Sequence, residues 1–354
     1  MVKENYPILK TTTYLNTAYV GLMSTQLYDF RRDQERSYLE EGGDRYKIKA
    51  YNNLDLMHQN FAHFFGLSAE RCFGISNFSS GFRTALSFLS KQNKVLLIEE
   101  DYPSLREAFI EAGIQTAQLP MQPNIEEAIA KKLQSERITI LALSIVQYTT
   151  GLLISESFLK QLKQKYPELL IIGDGTQFLG AHYFHFDQSP YDLVVASGYK
   201  WLLAGFGNGL LLCSEYFLDQ AQRTAQQVRA VFFQGHFNIL AMASLDFSIN
   251  ALKNENFEAL IASKTALAES AKQQLTAAGF LPLWVIERQG HSAIFNIKGD
   301  KKLFQFLWKK NIRTIQRGTG IRVAFHFYNT PKDIEYLIES LEEYKQLNSH
   351  LSFN

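Results

Sequence analysis

Two charged residues in the middle of the chain follow apolar stretches typical of buried strands. Asp174 stands directly after residues 169–173, and Lys200 comes shortly after residues 193–196. Open α/β sheets bind ligands at the carboxyl ends of their strands, so we expect both side chains at one binding edge. A lysine amine forms Schiff bases with carbonyls, and a buried carboxylate can keep a ring nitrogen protonated. Taken singly, either residue has an ordinary structural explanation, a helix cap for Asp174 and a solvated surface charge for Lys200.

Together, Lys200 and Asp174 are what pyridoxal 5′-phosphate (PLP) chemistry requires, and a phosphate site must accompany them. Residues 76–84, Ser-Asn-Phe-Ser-Ser-Gly-Phe-Arg-Thr, place the hydroxyls of Ser79 and Ser80 at the start of a predicted helix. Free N–H groups and the helix dipole attract an anion at such a position. A serine that caps a helix without binding a ligand gives the same pattern. The segment therefore indicates a phosphate site only in combination with Lys200 and Asp174.

A second glycine-rich segment, residues 205–209, is a weaker candidate for phosphate binding. A dinucleotide-binding turn opens a helix, whereas an apolar strand, residues 210–213, follows here. We interpret the segment as a backbone turn after Lys200.

Short apolar runs alternate with amphipathic helical stretches from about residue 70 onward. The runs are residues 95–98, 138–143, 169–172, 193–196 and 210–213, with helical stretches at 105–112 and 158–166. This alternation predicts an α/β fold with helices on both faces of a mostly parallel sheet. The short turn before residue 210 predicts an antiparallel return, which makes the sheet mixed.

The character of the sequence changes after about residue 250, where helical segments rich in Ala, Lys, Glu and Gln surround a few strands. We therefore predict a large domain at residues 15–250. A small C-terminal α+β domain is expected at residues 251–354, joined by residues 1–14. The length of 354 residues exceeds what one hydrophobic core usually supports.

Composition limits the classes of partner. A formal net charge of +1 gives no general attraction to nucleic acid or to an anionic membrane, and no stretch is apolar enough to span a bilayer. Two cysteines, Cys72 and Cys213, lie beside apolar residues, so we expect buried thiols rather than disulfides or a metal site. These observations predict a soluble, cytoplasmic protein whose substrate is a small molecule.

The motif Asp174-x-x-Gln177, with Ser197-x-Tyr199-Lys200 and a following Gly-x-Gly, resembles the class V aminotransferase family of fold-type I PLP enzymes. That family includes cysteine desulfurases, kynureninases and isopenicillin N epimerase-like proteins. The resemblance runs in family order from residue 14 to residue 330, which is almost the whole chain. It implies a Schiff base on Lys200 and a contact of Asp174 with the pyridine nitrogen.

The same resemblance assigns further roles. Gln177 would hydrogen-bond the 3′ oxygen of the ring, and Tyr102 would stack on the ring, as in kynureninase-like sequences. The phosphate would be bound by Ser79, Ser80, Ser197 and Tyr199. Arg322, in a segment similar to the C-terminal family signature, would bind the substrate carboxylate through its guanidinium. For Arg45, Arg313 and Arg317 we expect surface ion pairs.

Two segments depart from the family pattern. The family has a Gly-Thr turn that reaches the PLP phosphate of the neighbouring subunit, and here Gly235 is followed by His236. A homodimer with active sites at the interface is still expected. Tyr148 stands where many relatives carry asparagine, so it either replaces that residue near the 3′ oxygen or faces the substrate.

The resemblance implies an enzyme acting at the α-carbon of an amino acid, with aminotransferase activity as the family default. A kynureninase-like C–C lyase and an epimerase remain alternatives. We reject cysteine desulfurase here, because that activity needs a nucleophilic cysteine on a mobile loop. Neither Cys72 nor Cys213 lies in the region before Arg322 where relatives carry this cysteine. A PLP-independent Schiff-base lyase and a non-catalytic PLP sensor are weaker alternatives.

Overall fold

Seven strands form the central sheet of the protein, for which a computed structural model describes residues 3–235, 238–288 and 290–348. In chain order the strands of the protein are β1 (Thr13–Tyr14), β2 (Cys72–Ile75), β3 (Lys94–Ile98), β4 (Gln115–Leu119), β5 (Ile140–Ser144), β6 (Leu170–Asp174), β7 (Leu193–Ser197), β8 (Gly209–Cys213), β9 (Ile294–Ile297), β10 (Ile312–Arg313), β11 (Ile315–Arg317) and β12 (Gly320–Ala324).

Helices cover both faces of this sheet and make up most of the C-terminal part. They are α1 (Thr25–Glu41), α2 (Gly43–Asn52), α3 (Leu54–Phe65), α4 (Phe78–Leu86), α5 (Pro103–Glu111), α6 (Ile125–Ser135), α7 (Glu156–Lys165), α8 (Glu215–Ala221), α9 (Ala225–Phe232), α10 (Ile239–Asn254), α11 (Phe257–Ala277), α12 (Leu283–Glu287), α13 (Lys301–Lys309) and α14 (Pro331–Leu347). None of the described helices is both long enough and apolar enough to cross a membrane.

The central sheet has the strand order β2-β8-β7-β6-β5-β3-β4. The pairs between β4 and β7 are parallel, whereas β8 is antiparallel to both β7 and β2. The predicted α/β class with a mixed, mostly parallel sheet is confirmed. Since β8 runs opposite to both of its neighbours, β2 points in the same direction as β7. The carboxyl ends of β2, β3, β5, β6 and β7 therefore lie at one edge of the sheet.

Strand β7 shows why the sheet forms where the sequence is continuously apolar. Its side chains alternate between two hydrophobic cores, with Leu193 and Val195 in one core and Val194 and Ala196 in the other. A strand covered on both faces needs apolar residues at every position, because successive side chains point to opposite faces.

A second, three-stranded sheet has the order β11-β12-β9 and is antiparallel throughout. Strand β1 pairs in parallel with β10 and so attaches the N-terminal segment to the C-terminal part of the chain. The division into domains at residues 15–250 and 251–354 stays a prediction.

One lysine lies inside the core, far from solvent. Lys264 on α11 is only 2% exposed, and its Nζ lies 5.7 Å from the centre of the Trp201 ring. Burial lowers the pKa of Lys264 from 10.5 to about 7. Holding this side chain in the core therefore opposes folding when the amine is charged.

Replacing Lys264 by methionine is expected to stabilise the protein at pH 6 by about 1–4 kcal/mol, since a buried unpaired charge is removed. Between the folded pKa of about 7 and the ordinary value of 10.5, the unfolded state binds more protons. The stability of the natural protein therefore rises with pH across this window, and the advantage of the variant shrinks. Chemical unfolding of both proteins at pH values from 6 to 10 measures this difference. A difference that stays constant with pH would contradict it.

Candidate active site

The shared carboxyl edge of the central sheet surrounds a cavity of about 120 Å³. Each neighbouring strand contributes the residues that follow its end, because the chain turns away from the sheet there. The cavity is lined by Asn77, Phe78, Ser79, Tyr102, Ser144, Tyr148, Asp174, Thr176, Gln177, Ser197, Tyr199 and Lys200. Most of the residues expected to bind the cofactor are thus brought together from distant parts of the sequence.

Lys200 lies in the turn between β7 and β8, with a side chain that is 8% exposed. Burial lowers its pKa to about 8, against the attraction of Asp174, and the charges of Arg322 and Arg317 lower it further. The Nζ atom lies 5.9 Å from the centre of the Tyr102 ring and 5.6 Å from that of Tyr199. At this pKa a much larger fraction of the amine is neutral and nucleophilic near neutral pH than in an ordinary lysine.

Asp174 ends β6 and is buried beside Lys200. Its Oδ1 accepts a hydrogen bond of 2.8 Å from the backbone N–H of Thr176. Burial raises the pKa of Asp174 to about 6, while hydrogen bonds from Thr176 and the charge of Lys200 lower it and the charge of Asp101 raises it. A buried carboxylate of this kind is stabilised by a positive partner, such as a protonated ring nitrogen.

Helix α4 begins at the cavity and presents its N-terminus there. Asn77 caps the helix, because its Oδ1 accepts the N–H of Ser80 at 3.0 Å. The N–H of Phe78 donates to Ser197 Oγ at 2.8 Å, which ties the first turn of the helix to the end of β7. Ser79 also lines the cavity. This arrangement of hydroxyls around a helix N-terminus suits a phosphate.

Ser80 lies outside this cavity, unlike Ser79. Its side chain is exposed, and its Oγ donates to the carbonyl of Asn77 at 3.3 Å. Successive helical residues are rotated by about 100° around the axis, so two adjacent serines do not face one ligand. Within the described chain, Ser79 and Ser197 are the better placed hydroxyls.

Two tyrosines form one wall of the cavity. The rings of Tyr102 and Tyr148 meet edge to face, with centres 5.7 Å apart. The ring of Tyr199 forms another wall and stacks on Phe206, with centres 5.1 Å apart, and burial raises the pKa of Tyr199 to about 12. The phenol of Tyr199 is therefore a neutral hydrogen-bonding group at physiological pH.

Gln177 connects the cavity to two other parts of the chain. Its Nε2 donates to the carbonyl of Ala18 at 2.8 Å, and its Oε1 accepts from Trp201 Nε1 at 2.7 Å. An amide nitrogen carries two protons, so one N–H remains for the expected contact with the 3′ oxygen. The role of Gln177 toward the ring stays a prediction.

Arg322 is a buried cation that forms no ion pair with any carboxylate among the described residues. The side chain is 2% exposed, Nη1 donates to the carbonyl of Tyr148 at 2.6 Å, and Nε has no hydrogen-bond partner among the described residues. Burial lowers the pKa of Arg322 to about 10, and the charge of Arg317 adds to this effect. A buried guanidinium with an unused N–H is ready to bind a carboxylate.

The expected ion pairs of the other three arginines are not found in the described part of the chain. Arg313 stacks on Trp308, with the guanidinium carbon 4.4 Å from the ring centre, and Arg317 lies 5.6 Å from the centre of the Tyr19 ring. That expectation was wrong. Arg313 and Arg317 lie in strands beside aromatic rings, and Arg45 lies in α2 without a carboxylate partner among the described residues.

Gly235 lies apart from the cavity on the exposed surface, with a φ of 70°. His236, its expected partner in a contact across the dimer, lies outside the described residues. The role of this turn therefore stays a prediction.

Asp101 is a site residue that the motif analysis missed. Its carboxylate accepts hydrogen bonds from the N–H of Tyr102 at 2.7 Å and from the N–H and hydroxyl of Ser144 at 2.8 and 2.5 Å. Burial raises the pKa of Asp101. This carboxylate fixes the loop that carries Tyr102 to the end of β5. A charged residue three positions after the apolar strand end at Ile98 was the signal available in the sequence.

The sequence matches the pattern of the family described as Aminotransferase class-V over residues 39–337. The chain belongs to this family. The family uses PLP, so the predicted family and cofactor are both confirmed. None of the curated proteins compared with the chain matches it.

Several solved structures share the fold of nearly the whole chain. A cystine C–S lyase, C-DES, in complex with cysteine persulfide superposes with a TM-score of 0.83 at 17% identity, covering 95% of this chain and 98% of the other. The apo cysteine desulfurase of Thermococcus onnurineus NA1 gives 0.80 at 14% identity, covering 99% and 98%. The cysteine desulfurase CsdA of Escherichia coli gives 0.78 at 14% identity, covering 98% of each chain. At these identities the likeness shows the fold alone.

The cavity of this class V chain fits PLP. A buried lysine, a buried carboxylate and a helix N-terminus surround it, which are the groups that the aldehyde, the ring nitrogen and the phosphate require. The unpartnered Nε of Arg322 leaves a place for an anion beside them.

Proposed function

We propose that this class V protein is an aminotransferase that acts at the α-carbon of an amino acid. The observation that carries the proposal is the buried amine of Lys200, which lines the cavity with Asp174 and also lies within the electrostatic influence of Arg322, whose Nε has no hydrogen-bond partner among the described residues. This arrangement supports proton transfer at an α-carbon, the step that transamination needs.

Each residue has a distinct task in this proposal. PLP, when bound, supplies an electron sink for the bond broken at the α-carbon. Arg322 binds the substrate carboxylate through charged hydrogen bonds and so orients the Cα–H bond. Lys200, as a neutral amine, takes the proton and returns it. Asp174 holds a proton on the ring nitrogen, and Tyr102 shields the ring face from water.

Other activities of the family share these tasks, and the comparisons do not separate them. A kynureninase-like lyase and an epimerase both remain alternatives. Cysteine desulfurase, which we reject from the sequence, returns to the alternatives, because desulfurases are among the structures that share the fold. Neither described cysteine supplies a site nucleophile, since Cys72 and Cys213 are buried in β2 and β8 and burial raises the pKa of both thiols.

The visible absorption spectrum of the purified protein with PLP tests the proposal. Addition of single amino acids should convert the cofactor to its amine form, with the matching keto acid released. Turnover without this conversion would favour a lyase or an epimerase. Release of sulfur from cysteine would favour a desulfurase. If no amino acid changed the spectrum or gave a product, the proposal would be contradicted.

Replacing Arg322 by glutamine is expected to lower kcat/KM for amino acids by about 10²–10³-fold, because a charged bidentate contact is lost. Amines without a carboxylate should be affected little, since they never use this contact. Steady-state kinetics with an amino acid and with its decarboxylated amine measure the two effects. An equal loss of kcat/KM for both substrates would mean that Arg322 stabilises the folded site and does not bind the substrate carboxylate.

A homodimer and a cytoplasmic location are further proposals. Large apolar side chains are exposed on α1, α2 and α3, which supports an interface with a second copy of the chain. They are Tyr28, Tyr38, Leu39, Ile48 and Leu56.

A further inference from the structure

Two arginines project from the same face of the three-stranded sheet. In the pairing of β11 with β12, Ile315 lies opposite Arg322 and Arg317 lies opposite Gly320. Directly opposed residues share a face, and residues two apart along a strand do so too. Arg317 and Arg322 are therefore diagonal neighbours on one face.

Local contacts fix the backbone of Arg317 in this position. Asn296, which pairs with Arg322 from β9, donates from Nδ2 to the carbonyl of Arg317 at 2.8 Å. Gly320 leaves room for this contact, because a Cβ there would lie 2.3 Å from Asn296 Oδ1. The start of the Arg317 side chain is thus held by the sheet rather than by a flexible loop.

The guanidinium of Arg317 does not line the cavity itself, but it contacts a residue next to one that is hydrogen-bonded to the cavity wall. It is 5.6 Å from the centre of the Tyr19 ring. Tyr19 follows Ala18, whose carbonyl accepts the hydrogen bond from Gln177 in the cavity wall. The charge of Arg317 also lowers the pKa values of Lys200 and Arg322, so the three cations share one electrostatic environment.

No carboxylate forms an ion pair with Arg317 or Arg322 in the described part of the chain. The carboxylates at the cavity have other tasks: Asp101 accepts hydrogen bonds from Ser144 and Tyr102, and Asp174 faces Lys200. A substrate with one carboxylate would neutralise only one of the two guanidiniums.

We propose that the site selects amino acids that carry a second acidic group, with Arg322 binding the α-carboxylate and Arg317 the side-chain carboxylate. This substrate class rests on the function proposed above, in which Lys200 acts at the α-carbon. Arg317 is then a specificity-determining residue that takes no part in proton transfer.

Binding of unreactive carboxylates to the PLP-loaded protein tests this assignment without requiring turnover. Succinate and glutarate have two carboxylates, whereas butyrate has one and a similar length. The dissociation constant of each is measured by titration, followed by the visible absorbance or by calorimetry. The natural protein should bind the better dicarboxylate about 10–100-fold more tightly than butyrate, as expected for one added charged contact.

Three variants assign this preference to one side chain. Arg317→Gln should reduce the preference to about twofold or less, whereas Arg317→Lys should keep an intermediate preference because a point charge remains. Arg313→Gln is the matched control, since Arg313 belongs to the neighbouring strand β10 and stacks on Trp308. It should keep the full preference. An undiminished preference in Arg317→Gln, or none in the natural protein, would overturn the assignment.

The outcomes separate this inference from the proposed function. Dicarboxylate preference without conversion of any amino acid would sustain the paired arginine site and refute the role of Lys200 as proposed. Conversion of neutral amino acids without dicarboxylate preference would sustain the function and refute the paired site.

Discussion

Replacing Lys200 by alanine is expected to abolish the visible absorbance that PLP acquires on attachment to the protein, and to lower turnover by about 10³-fold or more. The absorbance is lost because Lys200 carries the only amine among the described residues that line the cavity. Turnover is lost because the proton at the α-carbon has no acceptor, and a positioned general base is worth about 10²–10⁴-fold. Spectra after gel filtration and single-turnover measurements test the two effects separately.

Lys264→Met is the matched control for this variant. Lys264 is also a buried lysine whose pKa is lowered to about 7, but it lies in the core against Trp201 rather than at the cavity. The control should keep both the absorbance and the turnover. If Lys200→Ala retained a lysine-linked spectrum that Lys264→Met lost, the attachment site would have to be reassigned.

Asp174→Asn is expected to lower kcat by about 10²–10⁴-fold while the cofactor stays attached. Asparagine has the same shape and can still accept the N–H of Thr176, so the end of β6 should keep its structure. The variant lacks the negative charge that would hold a proton on the ring nitrogen, and electrostatic stabilisation in a buried site contributes this much to a rate. Steady-state kinetics on spectroscopically loaded protein give the measurement.

A second effect of Asp174→Asn appears in the protein without cofactor. The charge of Asp174 raises the pKa of Lys200 against the effect of burial, so its removal should lower that pKa below about 8. The pH dependence of the reaction of PLP with the apo-protein would then shift to lower pH. An unshifted profile would mean that the two groups are not coupled.

Asp192→Asn is the matched control for Asp174→Asn, because it also removes a buried carboxylate. Asp192 is 3% exposed and forms an ion pair of 2.7 Å with Lys163, away from the cavity. Its replacement should reduce thermal stability but leave the kcat of the folded enzyme within about twofold, because no group at the reacting centre changes. A comparable loss of kcat in both variants would remove the special role of Asp174.

The central strands could be predicted because burial on both faces makes them continuously apolar. β5, β6, β7 and β8 all follow this rule. β4 escaped prediction, since its sequence Gln-Thr-Ala-Gln-Leu lies at the edge of the sheet and is only partly buried. The antiparallel direction of β8 was predictable from the length of its connection, which is too short for a crossover helix.

The site was predictable where its residues follow strand ends or match a family motif. Lys200, Asp174 and Ser79 were expected at one site for these reasons, and all three line the cavity. Ser80 does not line it, because adjacent helical residues point in different directions. The roles of these residues toward the cofactor stay predictions. Arg317 was assigned to the surface because only the register of β11 against β12 reveals its neighbour Arg322. Contacts between paired strands cannot be predicted from short stretches of the sequence, because they depend on the register of the strands.

The shared edge of β2, β3, β5, β6 and β7 also has a consequence for how the protein acquires its cofactor during folding. The hydrogen bond between Phe78 and Ser197 joins residues 119 positions apart, and the strands between them must be in register before it forms. Contacts of such high sequence separation form slowly, because the entropy of closing a long loop is lost before the contact stabilises the chain. We therefore expect the cofactor to bind at the end of folding. The rise in visible absorbance of the refolding protein would then report completion of the sheet.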